Sequence, residues 1–296
     1  MEIEQVIIVG TGPAGLAAAI QLKRYGLHPL IFERAAMGGL LRNANLVENY
    51  PGFPGGITGS ELVELFSQQA KNLNIEVTYE EVIRIDYEGG IFTAETERMS
   101  YQSQVMVIAT GTKPMRFKGL DIPEELKDRV YYEVYELLPL EGKRVAIVGS
   151  GDAAFDYGLN LGKKNEVIIL NRGNQPKCLP LLWERYRQSP SIDYHDNILI
   201  CQLRKDPDHG LWLDCQSKAG EIQFHVDYLL GAIGREARLD CLSEAFRQQA
   251  QALVEQGVLY MIGDVKNGIY RQTSIAVGDG VLAAMKIYEL LKEAIT

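Results

Sequence analysis

Two glycine-rich motifs are the residues in this sequence best placed to do chemistry. They read Gly10-Thr11-Gly12-Pro13-Ala14-Gly15 and Gly149-Ser150-Gly151-Asp152-Ala153-Ala154. Each motif follows a short β-branched run and opens an alanine-rich stretch, a pattern that predicts a strand, a turn and a helix. Glycine at such a turn lets the backbone approach a pyrophosphate, whose charge the free N–H groups at the helix start stabilise. The chain is therefore predicted to hold two dinucleotides, as does a flavoprotein that moves electrons between a flavin and a second cofactor.

Residues at two further strand ends are predicted to complete the first site. Glu33 ends the apolar run 30–32, at the distance from Gly15 expected for the second strand of a dinucleotide-binding unit. Its carboxylate is predicted to accept hydrogen bonds from the ribose hydroxyls of an adenosine, and the alternative is a surface glutamate. Thr110 and Gly111 follow another apolar run, where the glycine lets the chain leave the sheet and Thr110 is expected to contact the cofactor.

The composition limits the partners that the chain can have. Its 296 residues, 46% of them hydrophobic, can bury a large core, and we expect two domains. A net charge of −9 argues against nucleic acid and anionic membranes as partners. The first residues lack the basic region of a signal peptide, and no apolar run is long enough to cross a bilayer. We therefore expect a cytoplasmic protein without membrane insertion.

The cysteines do not suggest a metal or redox site. They are Cys178, Cys201, Cys215 and Cys241, and their spacing gives neither a metal-binding pair nor a C-x-x-C. Reduced structural thiols are the expected state in the cytosol. The histidines form no motif, and no metal site is predicted.

Several segments together carry a resemblance to a known family. They are Gly10 to Gly15, Gly38-Gly39, Val47-Glu48-Asn49-Tyr50-Pro51-Gly52-Phe53-Pro54, Ala109-Thr110-Gly111, the second motif, Ala232-Ile233-Gly234, Gly263-Asp264 and Ile269-Tyr270-Arg271-Gln272. Over nearly the whole chain they resemble the low-molecular-weight thioredoxin reductase family. The resemblance implies an α/β fold with two Rossmann-like domains, bound FAD and usually a homodimer. The FAD-binding domain would be discontinuous, over 1–115 and 238–296, with an NAD(P)-type nucleotide-binding domain inserted at 116–237.

The resemblance also implies that Asn49, Asp264, Gln272 and Thr273 lie on the FAD. Asp264, at a strand end, can accept hydrogen bonds from ribityl hydroxyls. Gln272 and Thr273 begin the last helix, whose dipole would stabilise negative charge on the flavin. The whole predicted FAD site consists of Gly10, Gly12, Pro13, Ala14, Gly15, Glu33, Gly38, Gly39, Leu40, Asn49, Thr110, Gly111, Gly263, Asp264, Arg271, Gln272 and Thr273.

The segment just before the second motif departs from the family. The family's catalytic C-x-x-C belongs there, whereas this chain reads Val130-Tyr131-Tyr132-Glu133-Val134-Tyr135-Glu136-Leu137. Thiol–disulfide exchange needs a thiolate beside a resolving thiol, so ordinary thioredoxin reductase activity is not expected. This segment is partly similar in sequence to the thioredoxin-reductase-type ferredoxin–NADP reductases, which usually lack Glu48-Asn49-Tyr50-Pro51-Gly52-Phe53-Pro54. Tyr132 and Tyr135 either face the flavin or lie in a buried connection, and the second interpretation is favoured.

The predicted second nucleotide site also departs from the family. After the strand 167–170 the chain reads Asn171-Arg172-Gly173, where an NAD site would normally show an acidic residue. The family has an arginine pair there for a 2′-phosphate, of which Arg172 remains, with Lys177 as a helper. NADPH, NADH and neither of the two, including a second FAD in that place, all stay open. The predicted residues are Gly149, Gly151, Asp152, Ala153, Ala154, Asn171, Arg172, Lys177, Ile233 and Gly234.

The leading hypothesis is an FAD-dependent oxidoreductase that passes electrons from NAD(P)H or a protein donor to an acceptor that is not a dithiol. One alternative is a flavoprotein independent of pyridine nucleotides, either linked to ferredoxin or carrying two FAD molecules. The other is a flavin-bearing redox sensor or binding module without turnover. The expected partners are a second copy of the chain and ferredoxin or another redox protein.

Overall fold

The computed structural model describes residues 3–295 of the chain. The helices are α1 (Pro13–Arg24), α2 (Gly59–Asn72), α3 (Asp152–Leu161), α4 (Pro180–Arg187), α5 (Glu244–Glu255) and α6 (Thr273–Ile295). The strands are β1 (Ile3–Val9), β2 (Leu30–Phe32), β3 (Arg84–Glu88), β4 (Ile91–Glu95), β5 (Ser100–Ile108), β6 (Thr112–Pro114), β7 (Val130–Tyr131), β8 (Arg144–Val148), β9 (Glu166–Leu170), β10 (Ile192–His195), β11 (Leu199–Lys205), β12 (Leu211–Ser217), β13 (Gly220–Val226), β14 (Tyr228–Gly231), β15 (Arg235–Ala237) and β16 (Leu259–Met261). Short 3-10 turns cover Gly39–Asn43, Glu124–Arg129, Val134–Leu137 and Gly263–Val265.

The chain folds into two compact units. The first contains the residues up to Arg42, Val47–Lys113 and the residues from Glu236 onward, and the second contains Asn43–Leu46 and Pro114–Arg235. The predicted assignment of 43–46 to the first domain is therefore wrong. The other predicted domain boundaries, 115/116 and 237/238, each lie two residues after the observed boundaries at 113/114 and 235/236. Hydrogen bonds explain the difference. Asp156 on α3 accepts the backbone N–H of Asn45 at 2.9 Å, and Glu133 accepts the side-chain amide of Asn43 at 2.9 Å.

The sheet of the first unit brings the carboxyl ends of its parallel strands to one edge. Its strand order is β2-β1-β5-β4-β3, and β16 pairs with the last residues of β5. β1 runs parallel to β2 and β5, and β16 runs parallel to β5, whereas β3 and β4 form an antiparallel hairpin. Val9 is in register with Phe32 and Ile108, and Ile108 is in register with Met261. Ligands of such sheets bind at this edge.

Helices cover both faces of this sheet because its strands bury alternate residues on each side. Ile8 packs in one apolar cluster with α1 and α6, and Ile7 packs in another with α5. Helix α1 begins with a proline in its first turn and has Lys23 and Arg24 in its last turn. Both features suit a helix, since the proline fixes the backbone of the first turn and the cations lie at the negative end of the dipole.

The second unit contains a fully parallel sheet with the strand order β10-β9-β8-β14-β7. Its strand β9 is buried over 167–170, as expected for a strand covered on both faces. Helix α3 follows β8 directly and buries Phe155 against the rings of Trp183, Tyr186 and Tyr194. A separate antiparallel sheet, β11-β12-β13, belongs to the same unit, and β6 pairs with β15.

The strand–turn–helix starts and the parallel sheets confirm the predicted fold class, α/β with two Rossmann-like units. Over 3–295, none of the helices is both long enough and apolar enough to cross a lipid bilayer.

Candidate functional site

The first glycine motif forms a tight turn between β1 and α1. The N–H of Gly10 donates to the carbonyl oxygen of Phe32 at 2.8 Å, which holds the turn at the end of β2. A Cβ atom on Gly15 would lie 1.9 Å from the carbonyl oxygen of Gly10. Glycine is therefore required at position 15 for the helix to start this close to the turn.

The start of α1 is open to an anion. Gly12 is the N-cap residue, with extended backbone angles (φ −66°, ψ 179°) and no side-chain cap hydrogen bond. A Cβ atom built on Gly12 would have no neighbour within 4 Å. Helical N–H groups without a side-chain acceptor, beside free space, are the partners that a pyrophosphate requires. The residues of this turn therefore fit the pyrophosphate of FAD.

Glu33 lies buried beside the same turn, with 8% of its surface exposed. One carboxylate oxygen accepts the backbone N–H and the hydroxyl of Thr11, at 3.0 and 2.7 Å, and the other accepts the N–H of Ala35 at 3.0 Å. The alternative interpretation as a surface glutamate is therefore wrong. A carboxylate has about four acceptor positions, so these bonds leave capacity for a ribose hydroxyl, and that contact stays a prediction.

The segment Gly38–Leu40 lies against the first motif. The N–H of Gly38 donates to the carbonyl oxygen of Thr11 at 2.8 Å, and a Cβ atom on Gly39 would lie 3.2 Å from the Cα of Gly12. Leu40 is half-buried in the 3-10 turn that follows. The structure thus brings together two glycine segments that are separated in the sequence.

Asn49 meets the start of α6. Its Nδ2 donates to Oε1 of Gln272 at 2.8 Å, and the hydroxyl of Ser274 donates to the carbonyl oxygen of Asn49 at 3.5 Å. Thr273 is the first residue of the helix, and Arg271 before it is half-buried. The predicted flavin residues from the two halves of the first unit are therefore neighbours.

Thr110 and Gly111 lie where β5 ends. The hydroxyl of Thr110 donates to the carbonyl oxygen of Arg238 at 2.6 Å, and the N–H of Arg238 donates to the carbonyl oxygen of Gly111 at 3.0 Å. The hydroxyl hydrogen of Thr110 is therefore used inside the protein. Its predicted contact with a cofactor would have to use the oxygen as an acceptor.

The turn Gly263–Val265 follows β16 and contains Asp264. The N–H of Ile262 donates to the carbonyl oxygen of Ile108 at 3.0 Å, which brings this turn to the end of β5. One partner of the turn was not predicted from the sequence: Asp279 on α6 accepts the N–H of Gly263 at 3.0 Å. The available signal was an acidic side chain between Gly278 and Gly280 in an otherwise apolar helical stretch.

The second glycine motif repeats the geometry of the first between β8 and α3. The N–H of Gly149 donates to the carbonyl oxygen of Leu170 at 3.0 Å. Gly151 is the N-cap of α3, has no side-chain cap hydrogen bond, and would have no neighbour within 4 Å of an added Cβ atom. Asp152 and Ala153 are exposed in the first turn, and Ala154 is buried. This helix start is therefore also open to an anion.

The loop after β9 folds back on the second motif. The N–H of Lys177 donates to the carbonyl oxygen of Ser150, and the N–H of Leu179 donates to Oδ1 of Asp152, both at 2.7 Å. The side chain of Lys177 is exposed. The residues after β14 continue from the neighbouring strand, with Ile233 half-buried and Gly234 exposed; the carbonyl oxygen of Gly234 accepts the N–H of Met115 at 3.0 Å.

Asn171 forms hydrogen bonds inside its own loop. Its side chain is buried, and its Nδ2 donates to the carbonyl oxygen of Gln175 and to the hydroxyl of Tyr194, each at 2.8 Å. Its Oδ1 accepts the N–H of Gly173 at 2.8 Å. These bonds use both amide hydrogens to shape the loop, and a contact of Asn171 with a nucleotide stays a prediction. Arg172 beside it is exposed.

Tyr132 lies in the core of the second unit, with 6% of its surface exposed. Its hydroxyl accepts the N–H of Phe117 at 3.3 Å, and the guanidinium of Arg116 lies 4.3 Å from the ring centroid. This burial favours the interpretation of Tyr132 as part of a buried connection, and its approach to a flavin stays a prediction. Tyr135 is 49% exposed in the turn Val134–Leu137, and its approach to a flavin stays a prediction.

The cysteines are free thiols, and burial makes several of them poor nucleophiles. Burial raises the pKa of Cys215 to about 12 and that of Cys241 to about 11, and it also raises the pKa of Cys178. Thiolate formation is disfavoured at these three positions. In the part of the chain that the structure describes, no three or more His, Cys, Asp or Glu side chains are grouped to hold a metal ion.

Comparisons with known proteins agree with this arrangement. The family model for pyridine nucleotide-disulphide oxidoreductases matches residues 4–280. A thioredoxin reductase of Streptomyces coelicolor is 30% identical over 96% of this chain and 92% of that protein. A bifunctional thioredoxin reductase/thioredoxin of Mycobacterium leprae is 29% identical over 98% of this chain, which spans 66% of that protein's length. The crystal structure of T. acidophilum thioredoxin reductase has a TM-score of 0.84 and 25% identity, and the match covers 100% of both chains.

These matches extend over both units and both glycine motifs. The family implies FAD and a pyridine nucleotide as cofactors, and the matches described above do not support a second FAD. The chain therefore belongs to the pyridine nucleotide-disulphide oxidoreductase family and is similar to its thioredoxin reductases.

Proposed function

We propose that the chain is an FAD-dependent oxidoreductase that takes electrons from NADPH and passes them to an acceptor that is not a dithiol. The chain would do so without a catalytic dithiol of its own. The observation that carries the proposal is the segment 130–137. Tyr132 and Tyr135 stand in the region of the family's C-x-x-C, and Tyr132 is packed in the core. A disulfide relay needs two neighbouring thiols, and this segment supplies none.

The remaining thiols support the same conclusion. Cys215 and Cys241 are buried, and their raised pKa values keep them protonated at neutral pH. Cys178 and Cys201 lie in different elements, one in the loop before α4 and the other on β11. The proposed acceptor is therefore a small oxidant or a redox protein that takes electrons directly.

The residues of the first unit would hold the FAD, which when bound supplies a carrier of two electrons. The open start of α1 would bind the pyrophosphate, and Glu33 would accept hydrogen bonds from the ribose. Asp264 would hold the ribityl chain, and Gln272 and Thr273 would place the positive end of α6 near the flavin ring. The role of these residues is orientation and electrostatics.

The residues of the second unit support NADPH as the donor. The open start of α3 would bind the pyrophosphate of the nucleotide. Arg172 and Lys177 are both exposed in the loop after β9, where a Rossmann-like unit binds the adenosine end. The position where an NAD site normally has an acidic side chain holds Asn171, whose amide bonds inside the loop. No carboxylate at that position would therefore repel a 2′-phosphate.

The donor can be tested with the purified protein in the absence of oxygen. We expect a yellow protein whose visible flavin absorption is bleached by one equivalent of NADPH, and more slowly by NADH. Arg172→Ala should raise the NADPH concentration needed for half-maximal bleaching about tenfold and leave that for NADH unchanged, because a lost phosphate contact affects only NADPH. The proposal would be contradicted if reduced ferredoxin bleached the flavin while NADPH and NADH both left it yellow. Bleaching without any turnover would favour the sensor.

The acceptor can be tested with the same donor. Ferricyanide and quinones should be reduced at steady state, whereas the disulfide of a thioredoxin should not be reduced above background. A variant with Cys178→Ser and Cys201→Ser should keep the ferricyanide rate, since these thiols have no part in the proposed route. If the unmodified chain reduced thioredoxin rapidly and this variant did not, a dithiol route would exist.

A further inference from the structure

Asp279 is an ionisable side chain on α6 with polar contacts that the motifs did not predict. One of its oxygens accepts the N–H of Gly263 at 3.0 Å and the side-chain amide of Asn267 at 2.7 Å. The other lies 3.0 Å from the ammonium group of Lys266. Only 16% of the side chain is exposed. One carboxylate therefore joins α6 to three residues that surround Asp264 in the chain.

The turn that carries Asp264 needs such a partner. It is a 3-10 turn of three residues, and it is closed by the N–H of Lys266, which donates to the carbonyl oxygen of Gly263 at 3.1 Å. Gly263 is buried, so its N–H must find an acceptor inside the protein. Asp279 supplies that acceptor, and a charged acceptor makes a stronger hydrogen bond than a neutral one.

The helix that carries Asp279 is itself fixed to the first motif. A Cβ atom on Gly280 would lie 2.2 Å from the carbonyl oxygen of Ala14, so α6 touches the backbone of α1 at this residue. Asp279 and Gly280 are consecutive. The contact with the α1 backbone and the contact with the Asp264 turn are therefore made by neighbouring residues of one rigid helix.

We propose that Asp279 is a positioning residue that fixes the Asp264 turn on α6 and so sets where the flavin end of FAD is held. The proposal rests on the proposed function, because it requires FAD in the first unit. Through Gly280 the same helix is fixed to Ala14, beside the predicted pyrophosphate site. Asp279 thus sets the distance between the residues for the pyrophosphate and those for the ribityl chain through the turn that it holds.

The test compares two ligands of the first unit on the full-length chain, stripped of flavin. FAD contains both ends, whereas ADP contains the pyrophosphate and adenosine alone. FAD affinity is measured by quenching of flavin fluorescence, and ADP is measured as a competitor of FAD, so that only this site is read. Asp279→Asn should raise the dissociation constant for FAD at least tenfold and leave that for ADP within twofold. The matched control, Glu289→Gln, changes an exposed carboxylate on the same helix and should leave both unchanged.

The outcomes separate a positioning role from a structural one. Equal weakening of FAD and ADP, or FAD affinity within twofold of the unmodified chain, would overturn the proposal. If Asp279→Asn does not fold, Asn267→Ala removes one contact from the side of the turn and should weaken FAD about threefold with no effect on ADP. An unmodified chain that binds ADP but not FAD would refute the proposed function itself.

Discussion

Asp156 is the side chain whose acidity the fold changes most usefully for an experiment. It lies on α3 and accepts the backbone N–H of Asn45 at 2.9 Å. Burial raises the pKa of Asp156 to about 6, although the N–H groups of Asn45 and Leu46 and the charges of Lys163 and Arg185 act to lower it. Asp156 holds the segment 43–46 within the second unit. At neutral pH its carboxylate is ionised, and burial makes that ionisation cost free energy.

We predict that Asp156 makes the protein less stable as the pH rises. Its pKa in the folded chain lies above the ordinary value of 3.8, so the folded state binds the proton more tightly than the unfolded state does. The stability that this group contributes is full below about pH 4 and is lost as the pH rises through 6. Relative to Asp156→Asn, the free energy of unfolding should fall by about 2 kcal/mol between pH 4 and 8.

Chemical denaturation at a series of pH values measures this difference. Asp193→Asn is the matched control, since Asp193 is exposed, and its curve should run parallel to that of the unmodified chain. Parallel curves for Asp156→Asn as well would show that burial does not perturb this carboxylate.

At the residue scale, the sequence predicted the chemical type of a side chain near each motif better than it predicted where that side chain points. Glu33 was predicted from its distance to Gly15, and a short strand after a glycine motif constrains where such a side chain can lie. Asn171 occupies the equivalent position in the second unit, yet its amide turns inward to Gln175 and Tyr194. An amide can bond the backbone of its own loop, and the residue spacing does not distinguish this from a contact with a nucleotide.

At the element scale, the contact between α1 and α6 determines how the first unit is built. We predict that Gly280→Ala destabilises the protein by about 1–3 kcal/mol, because the new methyl group would lie 2.2 Å from the carbonyl oxygen of Ala14. Gly278→Ala, two residues earlier in the same helix, meets no atom within 4 Å and should stabilise the protein by about 0.5–1 kcal/mol. Urea denaturation of the two variants tests for opposite signs. Stabilisation by both substitutions would mean that helix propensity outweighs this contact.

The elements themselves were largely readable from the sequence, since alternating burial and glycine motifs fix strands and helix starts locally. The close contact at Gly280 was not, because it depends on a neighbour more than 260 residues earlier in the chain. The same is true of Asp279. A polar residue in an apolar helix indicates a partner, but only the folded chain shows that the partner is the turn Gly263–Val265.

At the scale of the whole molecule, two open helix starts serve two units of one chain. The sequence predicted this organisation because each motif carries its own local signal. It did not predict that 43–46 belong to the second unit, since the residues that hold this segment, Asp156 and Glu133, come more than 80 positions later. A segment so short has no pattern of its own to mark the change of unit.

The two sites should therefore be separable by placing a negative charge at each helix start. Gly12 and Gly151 have extended backbone angles that any residue adopts, and a side chain at either position would enter free space. Aspartate is a good N-cap residue, so Gly12→Asp and Gly151→Asp should fold normally. Its carboxylate would occupy the place of the pyrophosphate and repel it. We expect Gly12→Asp to give a colourless protein, and Gly151→Asp a yellow one that NADPH bleaches at least a hundredfold less effectively.

Isosteric neutral variants distinguish charge from size. Gly12→Asn and Gly151→Asn add a side chain of the same shape without the charge. Gly12→Asn should therefore keep more flavin than Gly12→Asp, and Gly151→Asn should need a lower NADPH concentration for half-bleaching than Gly151→Asp. Equal losses for the Asp and Asn variants would mean that bulk alone excludes the ligand. If Gly151→Asp were bleached by NADPH as readily as the unmodified chain, the donor would have to bind somewhere other than the start of α3, and the proposed division of work between the two units would be wrong.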